Sequence, residues 1–361
     1  AQTGIEGYGE GDRLGVRHYQ ASLRGAGLME SVAQLSPKDR SELFAEAAAR
    51  KGMTPAIVEK DFWVCWTLGR LFADPTLSRL LMFKGGTSLS KVFHLIERFS
   101  EDIDLILDWR VVVGEDDPLA NRSANKQETL NKAIEQNAAD YIENEMLPKI
   151  SALVSPICRC EPADDDKQAL NVIYPAAFPD AYLRPEVRLE IGPLAAWMPY
   201  DNFQIQPYAA EAFPQAFEQP ACTVNAIRAE RTFWEKATIL HHEANRPDNS
   251  TQPLRYSRHY YDLAMMATAP VKAAALADVA LLADVVAFKQ RFYPRGWAQY
   301  EKATPGTFKL VPSGKVMATV AQDYAQMRNM IFGKYLAFDE VISVLKALEN
   351  EINALTVSES Q

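Results

Sequence analysis

The segment FKGGTSLSKVFHLIERFSEDIDLIL, Phe83–Leu107, strings three patterns together. A short apolar run, LLMF, ends in Lys84 and the pair Gly85-Gly86, as a buried strand does on entering a turn. TSLSKVFHLIERF then has helical spacing, with a start expected at Thr87 or Ser88. DIDLILD follows, its acidic residues alternating against Ile and Leu as in a strand. Glycines let the backbone pass close to a ligand in dihedrals other residues avoid. A helix start aims free amides at an anion such as phosphate. Residues two apart in a strand share a face, so Asp102 and Asp104 converge. Two carboxylates held together make a hard-oxygen site suited to Mg²⁺ or Mn²⁺. A glycine turn or an Asp-x-Asp alone is commonplace. In strand–turn–helix–strand order they point to phosphoryl-type transfer, which needs positioning and charge neutralisation above all. The nucleotide-binding set is then Gly85, Gly86, Thr87 and Ser88, with Lys91 and Arg98 as further phosphate contacts and Asp102 and Asp104 as metal ligands.

Upstream, Ser36-Pro37 and Thr54-Pro55 are each a cap followed by a first-turn proline, and each opens a helix: SELFAEAAARKG and AIVEKDFWVCWTLGRLF. Downstream, Asn121 to Ile150 reads as a polar amphipathic helix, and ICRCEP, ALNVIYP and VRLEIG as strands. The proline-rich PYDNFQIQPYAAEAFPQAFEQP reads as irregular and places a lobe boundary, after which the chain is mostly helical. The fold class is α/β (α+β), with a small mixed sheet. A flexible tail is expected over 1–30, an α/β lobe with N-terminal helices over 31–215, and a mainly helical lobe over 216–361, with the active site in the cleft between lobes.

The 361 residues carry a net charge of −9, so nucleic acid would have to meet a local basic face and not the overall field. Two segments offer one. RYSRHYY holds Arg255, Arg258 and His259 among tyrosines able to stack on bases, and FKQRFYPRGW holds Lys289, Arg291 and Arg295 among aromatics. Four cysteines, Cys65, Cys158, Cys160 and Cys222, are too few for a disulfide framework and read as reduced buried thiols of a cytoplasmic protein. No apolar run is long enough to span a bilayer, and the Gly-rich acidic start lacks the features of a signal peptide.

GGTSLSK with ERFSEDIDL resembles the nucleotide- and metal-binding motifs of polymerase-β-like nucleotidyltransferases, and more closely those of AbiEii-type toxins of type IV toxin–antitoxin systems. The likeness runs from the KDFW helix to DYAQMRNMIFG and FDEVISVLKALE; the interval from the glycines to Asp102 is a little longer than in many members. It implies a polymerase-β-like lobe joined to a helical C-terminal lobe. It also implies two further motifs: Lys236 in AIRAERTFWEKATILHHEA, binding or activating the nucleotide, and Asp262 in RYSRHYYDLAMM, assisting the nucleophile or fixing Lys236. A third carboxylate completes many such sites. Glu190 is the candidate by strand context, since it alternates with Arg188 opposite Val187, Leu189 and Ile191; it serves equally well as half of an ion pair with Arg188. The implied reaction moves a nucleoside monophosphate from a triphosphate to a hydroxyl at the tRNA 3′ end, under control of a cognate antitoxin. A protein hydroxyl as acceptor, and a non-catalytic adaptor on a degenerate fold, are the alternatives.

Other motifs fall short. Ser88 to Lys91 has the S-x-x-K spacing of serine acyltransferases without their companion S-D-N and K-T-G. Ser313-Gly314-Lys315 lacks the upstream P-loop glycine, and His241-His242-Glu243 lacks a histidine four residues on.

Overall fold

The computed structural model describes residues 29–100, 102–114, 116–178, 183–312 and 314–356. Helix α1 (Pro37–Lys51) opens where the Ser36 hydroxyl accepts the Asp39 amide at 3.1 Å, and stops at Gly52, φ +66°. Helix α2 (Pro55–Ala73) opens the same way on Thr54. Of the tail expected over 1–30, only the last two residues are described. Met29 is buried, and Glu30 begins a short helix whose carboxylate meets Arg70 at 2.6 Å and Trp66 Nε1 at 3.1 Å.

Seven strands form one mixed sheet: β1 (Leu81–Lys84), β2 (Asp102–Leu107), β3 (Arg159–Pro162), β4 (Ala169–Ile173), β5 (Glu186–Gly192), β6 (Tyr200–Ile205) and β7 (Cys222–Ile227). Their order is β3-β4-β5-β2-β1-β7-β6, with β2·β5 and β1·β7 parallel and the rest antiparallel. The sheet is larger than the sequence suggested. β6 lies inside the proline-rich segment read as irregular, and β7 lies past the boundary placed at 215. One sheet face, with Phe83, Ile103, Leu105, Leu189 and Ile191, is fully buried against α1 and α2 in the first core. On the other face stand Lys84, Asp102, Asp104, Arg188 and Glu190, paired in register as Lys84–Asp104, Asp102–Arg188 and Asp104–Glu190.

The helix expected to run from Thr87 to Phe99 is only α3 (Gly85–Lys91). His94 takes φ +51°, and the Leu95 amide closes back on Leu89 O at 2.9 Å. From Glu97 to Phe99 the chain is bound by the C-terminal segment instead: Phe99 N donates to Met330 O at 2.7 Å, and Phe332 N to Glu97 O at 3.0 Å. Those tertiary bonds outbid the local helical pattern. The polar helix expected over 121–150 begins as α4 (Ala124–Tyr141) and ends as α5 (Leu147–Val154).

The second core is built on α6 (Ala229–Ala244), α7 (Ser257–Ala267), α8 (Val279–Phe292), α9 (Gly314–Gln326) and α10 (Phe338–Asn353). It begins at Phe233 and Trp234, and takes in Leu89 of α3 and Ile96 from the first half of the chain. The glycine-turn segment therefore stitches the two cores together.

Behind the turn, Lys91 Nζ lies 2.7 Å from Asp61 of α2, each side chain 4% exposed, and 3.8 Å over the Tyr208 ring. Burial pulls the Lys91 pKa down and the Asp61 charge more than restores it, so the ammonium persists. Lys91 is thus a strut between α2 and α3, and not the phosphate contact expected of it. Removing one partner of such a pair strands a buried charge. Asp61→Ala is expected to lower the unfolding free energy by about 3–5 kcal/mol, and Asp61→Leu with Lys91→Met by much less, both read from urea denaturation.

Candidate active site

Asp102, Asp104 and Glu190 project from adjacent strands into a cavity of ≈ 140 Å³, with Gly85 and Gly86 on one side and Thr232, Glu235 and Lys236 of α6 on the other. The glycines are required sterically. Gly85 takes φ +83°, and a Cβ there would lie 1.8 Å from Asp104 Oδ2. A Cβ on Gly86 would meet Arg98 Nη2 at 2.6 Å. The turn therefore lies directly against Asp104. Thr87 and Ser88 behave differently from expectation. Their hydroxyls turn inward, Thr87 donating to Asp102 O at 2.5 Å and Ser88 to Gly85 O at 2.9 Å, and both residues are buried. They brace the turn against β2.

Asp262, from α7, has no exposed surface. It accepts two hydrogen bonds from Arg98, at 2.6 and 2.8 Å, and lies 2.8 Å from Lys236 Nζ. Burial alone would raise its pKa, but the two cations hold it far below the carboxylate range. An aspartate so paired is a poor proton acceptor, so of its two implied roles the geometry favours holding Lys236. Lys236 Nζ also reaches His259 Nδ1 at 3.5 Å. Burial lowers the Lys236 pKa, Asp262 restores part of it, and Arg98 lowers it again, leaving it below the usual lysine value. Arg98 is thus committed to Asp262. Two cations against one anion leave one net positive charge on the wall of the cleft.

Glu190 faces a different balance. Burial, then Asp104 and Asp102, push its pKa up, while Arg188, 3.3 Å away, and Arg258 pull it down. Glu190 lines the cleft and pairs with Arg188, which also reaches Asp165 at 2.8 Å. The donor chemistry fits a hard divalent cation, which would relieve the repulsion among these carboxylates. Among the described residues no three His, Cys, Asp or Glu side chains close a metal cage by themselves.

Lys84 escaped the sequence reading. It precedes Gly85 and sits opposite Asp104 in register. Burial lowers its pKa, and Glu235, Asp104, Tyr293 and Glu190 more than offset that, keeping it charged. A lysine at the end of a strand that enters a glycine turn was the available signal.

The basic segments separate. Arg258 lines the cleft, and Arg255 lines an adjoining cavity. Arg291 instead binds the carbonyl of Leu119 and stands near Asn121, tying α8 to a loop. Neither Arg291 nor Arg295 borders the cleft or that cavity, and the neighbouring aromatics are anchors: Phe288 and Phe292 pack on Trp109, and Trp297 lies 4.3 Å from the His242 ring. The acceptor contacts expected at Arg291 and Arg295 thus lie away from the site. Lys289 is nearer, its pKa pushed down to about 8 by burial, with Glu235 opposing and Lys84, Arg231 and Lys236 adding to the fall. Arg231, on the same helix as Lys236, is buried in pairs with Asp284 at 2.7 Å and Glu235 at 3.3 Å. His241 is structural: Nδ1 accepts the Lys309 amide at 3.0 Å, so Nε2 donates to Gln299 O, also at 3.0 Å.

On this mixed sheet a glycine turn pressed on Asp104 thus faces a lysine held by a buried aspartate. The family model described as "Nucleotidyl transferase AbiEii toxin, Type IV TA system" matches residues 66–344, and the chain belongs to that family. Among solved structures it is similar to MenT4, a nucleotidyltransferase toxin from Mycobacterium tuberculosis H37Rv, at 15% identity and a TM-score of 0.41, over 88% of this chain and 99% of that one. No curated protein matches it significantly.

The Asp262 cluster yields a pH dependence. Its folded pKa is depressed, so its stabilisation is complete above the unfolded carboxylate value of about 3.9 and fades as the pH falls below it. Asp262→Asn is expected to lose several kcal/mol at neutral pH, on the order of 3–5, and to show a shallower loss of stability between about pH 5 and 2, measured by denaturation across a pH series.

Proposed function

We propose that the chain transfers a nucleoside monophosphate from a nucleoside triphosphate to the 3′-terminal hydroxyl of tRNA, in the cytoplasm, as a toxin restrained by a cognate antitoxin. The observation that carries this reading is the pairing of a buried net positive charge at Arg98, Lys236 and Asp262 with three carboxylates across one small cleft. A polyphosphate and a divalent cation together would satisfy both walls. Asp102, Asp104 and Glu190 would hold Mg²⁺ or Mn²⁺. Bound there, the cation neutralises phosphate oxygens as charge shifts to the leaving group. Lys236, kept compact and aimed by Asp262, meets the triphosphate, and Lys84 adds a second cation beside Asp104. The acceptor hydroxyl attacks the α-phosphorus and gives up its proton to solvent, the bond to the bridging oxygen breaks, and pyrophosphate departs. Arg255 and Arg258, which line the larger neighbouring cavity, would meet the acceptor. No helix among the described residues is long and apolar enough to cross a membrane.

Asp102→Ala and Asp104→Ala should each lower transfer by about a thousandfold or more with unfolding curves unchanged. Labelled triphosphate incubated with total RNA and Mg²⁺ should place label in RNA; label in protein, or in neither, overturns the RNA acceptor. Lys236→Ala should cost far more turnover than Arg291→Ala in the same assay. Lys236→Arg should also be impaired, because a planar guanidinium does not fit where a compact ammonium meets one oxygen of Asp262.

A further inference from the structure

Beside the carboxylate cleft lies a second cavity of ≈ 450 Å³, which shares Arg98, Ser100, Asp102 and Arg258 with it as common walls. The two spaces are thus neighbours across Asp102 and Arg258. Their chemistry differs. The cleft is walled by charge, as a phosphate site is, whereas the second cavity has an apolar floor that includes Ile57, Phe99 and Met327. Above that floor the end of α9 and the turn after it present two side-chain amides, Gln326 and Asn329. Neither amide has a hydrogen-bond partner among the described residues. Each offers a donor and an acceptor side by side, the arrangement that reads the edge of a nucleobase. A cavity of this size that joins an apolar floor to convergent polar groups is a usual form of small-molecule subsite.

We propose that this cavity is a nucleobase subsite, with Phe99 and Met327 packing on the base and Gln326 and Asn329 reading its edge, while the attached phosphate lies in the cleft at Asp102. The inference rests on the transferase reading and deepens it. The base belongs to the triphosphate or to the last nucleotide of the acceptor, and the chemistry of recognition is the same for both. α9 is held in place at the cavity wall itself: Asp323 accepts the amides of Arg255 and Ser257, each at 2.8 Å. The reading edge is therefore fixed to the segment that carries Arg258.

The test uses the full chain and the double variant Gln326→Ala/Asn329→Ala, both positions being exposed and outside the cores. Affinities are measured for the four ribonucleoside triphosphates, for inorganic triphosphate and for a tRNA pool. If the cavity takes the base of the triphosphate, the preferred nucleotide weakens about tenfold or more and discrimination among the four narrows, while inorganic triphosphate binds as before. If it takes the acceptor's terminal base, tRNA affinity falls and the triphosphates are unaffected. Gln326→Glu, which exchanges a donor for an acceptor at nearly constant shape, shifts the order of preference in whichever arm responds. Unchanged nucleotide and tRNA binding in both variants overturns the subsite. A wild-type chain that binds neither triphosphate nor tRNA overturns the transferase reading itself.

Discussion

Asp262 sits without solvent between Arg98 and Lys236, at 2.6 to 2.8 Å from each, and the arrangement of the site follows from that ion cluster. Its three members come from three places in the chain: the loop before β2, helix α6 and helix α7. Buried charges of this kind persist only when each is paired and hydrogen-bonded. The cluster therefore fixes how the helical half meets the sheet, and leaves one positive charge facing the carboxylates. Arg98 holds a second constraint as well, since its own segment is bonded to Met330 and Phe332. The C-terminal segment thus reaches the cleft through backbone pairing and not through a side chain of its own.

The sheet supplies the opposite wall. Alternation along β2 and β5 sends Ile103, Leu105, Leu189 and Ile191 into the first core, and the same alternation leaves Asp102, Asp104 and Glu190 no choice but the other face. Parallel pairing then sets Asp104 beside Glu190. The glycine turn closes on Asp104 at Gly85 and on Arg98 and Ser100 at Gly86, too tightly for a Cβ at either position. Binding capacity and foldability are in conflict there: three carboxylates repel one another, and Lys84, Arg188 and the buried cations relieve that repulsion from the edges.

Several elements were invisible to periodicity for identifiable reasons. β6 is an edge strand, exposed for most of its length and flanked by Pro199 and Pro207, so neither alternation nor hydrophobicity marks it. The helix foreseen through Phe99 has an adequate helical pattern, and it yields at His94 because the next residues gain more from pairing with the C-terminal segment. Thr87 and Ser88 look like phosphate ligands by composition, yet their hydroxyls brace β2 and the turn. Lys91 looks like a phosphate cation, and its charge is spent on Asp61.

What the sequence determined by itself is what local spacing controls. The strand alternation of DIDLIL, the glycine pair before it and the caps at Ser36 and Thr54 all follow from chemistry within a few residues, whereas Lys236 and Asp262 stood out only through the resemblance to the family's motifs. What the tertiary structure decided is which charges meet. Arg98 and Asp262 are 164 residues apart and Lys91 and Asp61 come from separate helices, so their pairing depends on how two cores are packed around α3. The same holds for Arg255 and Arg258 against Arg291 and Arg295. By composition the two basic segments are equivalent, and only the packing of α7 and α8 turns one toward the carboxylates and ties the other to a distant loop.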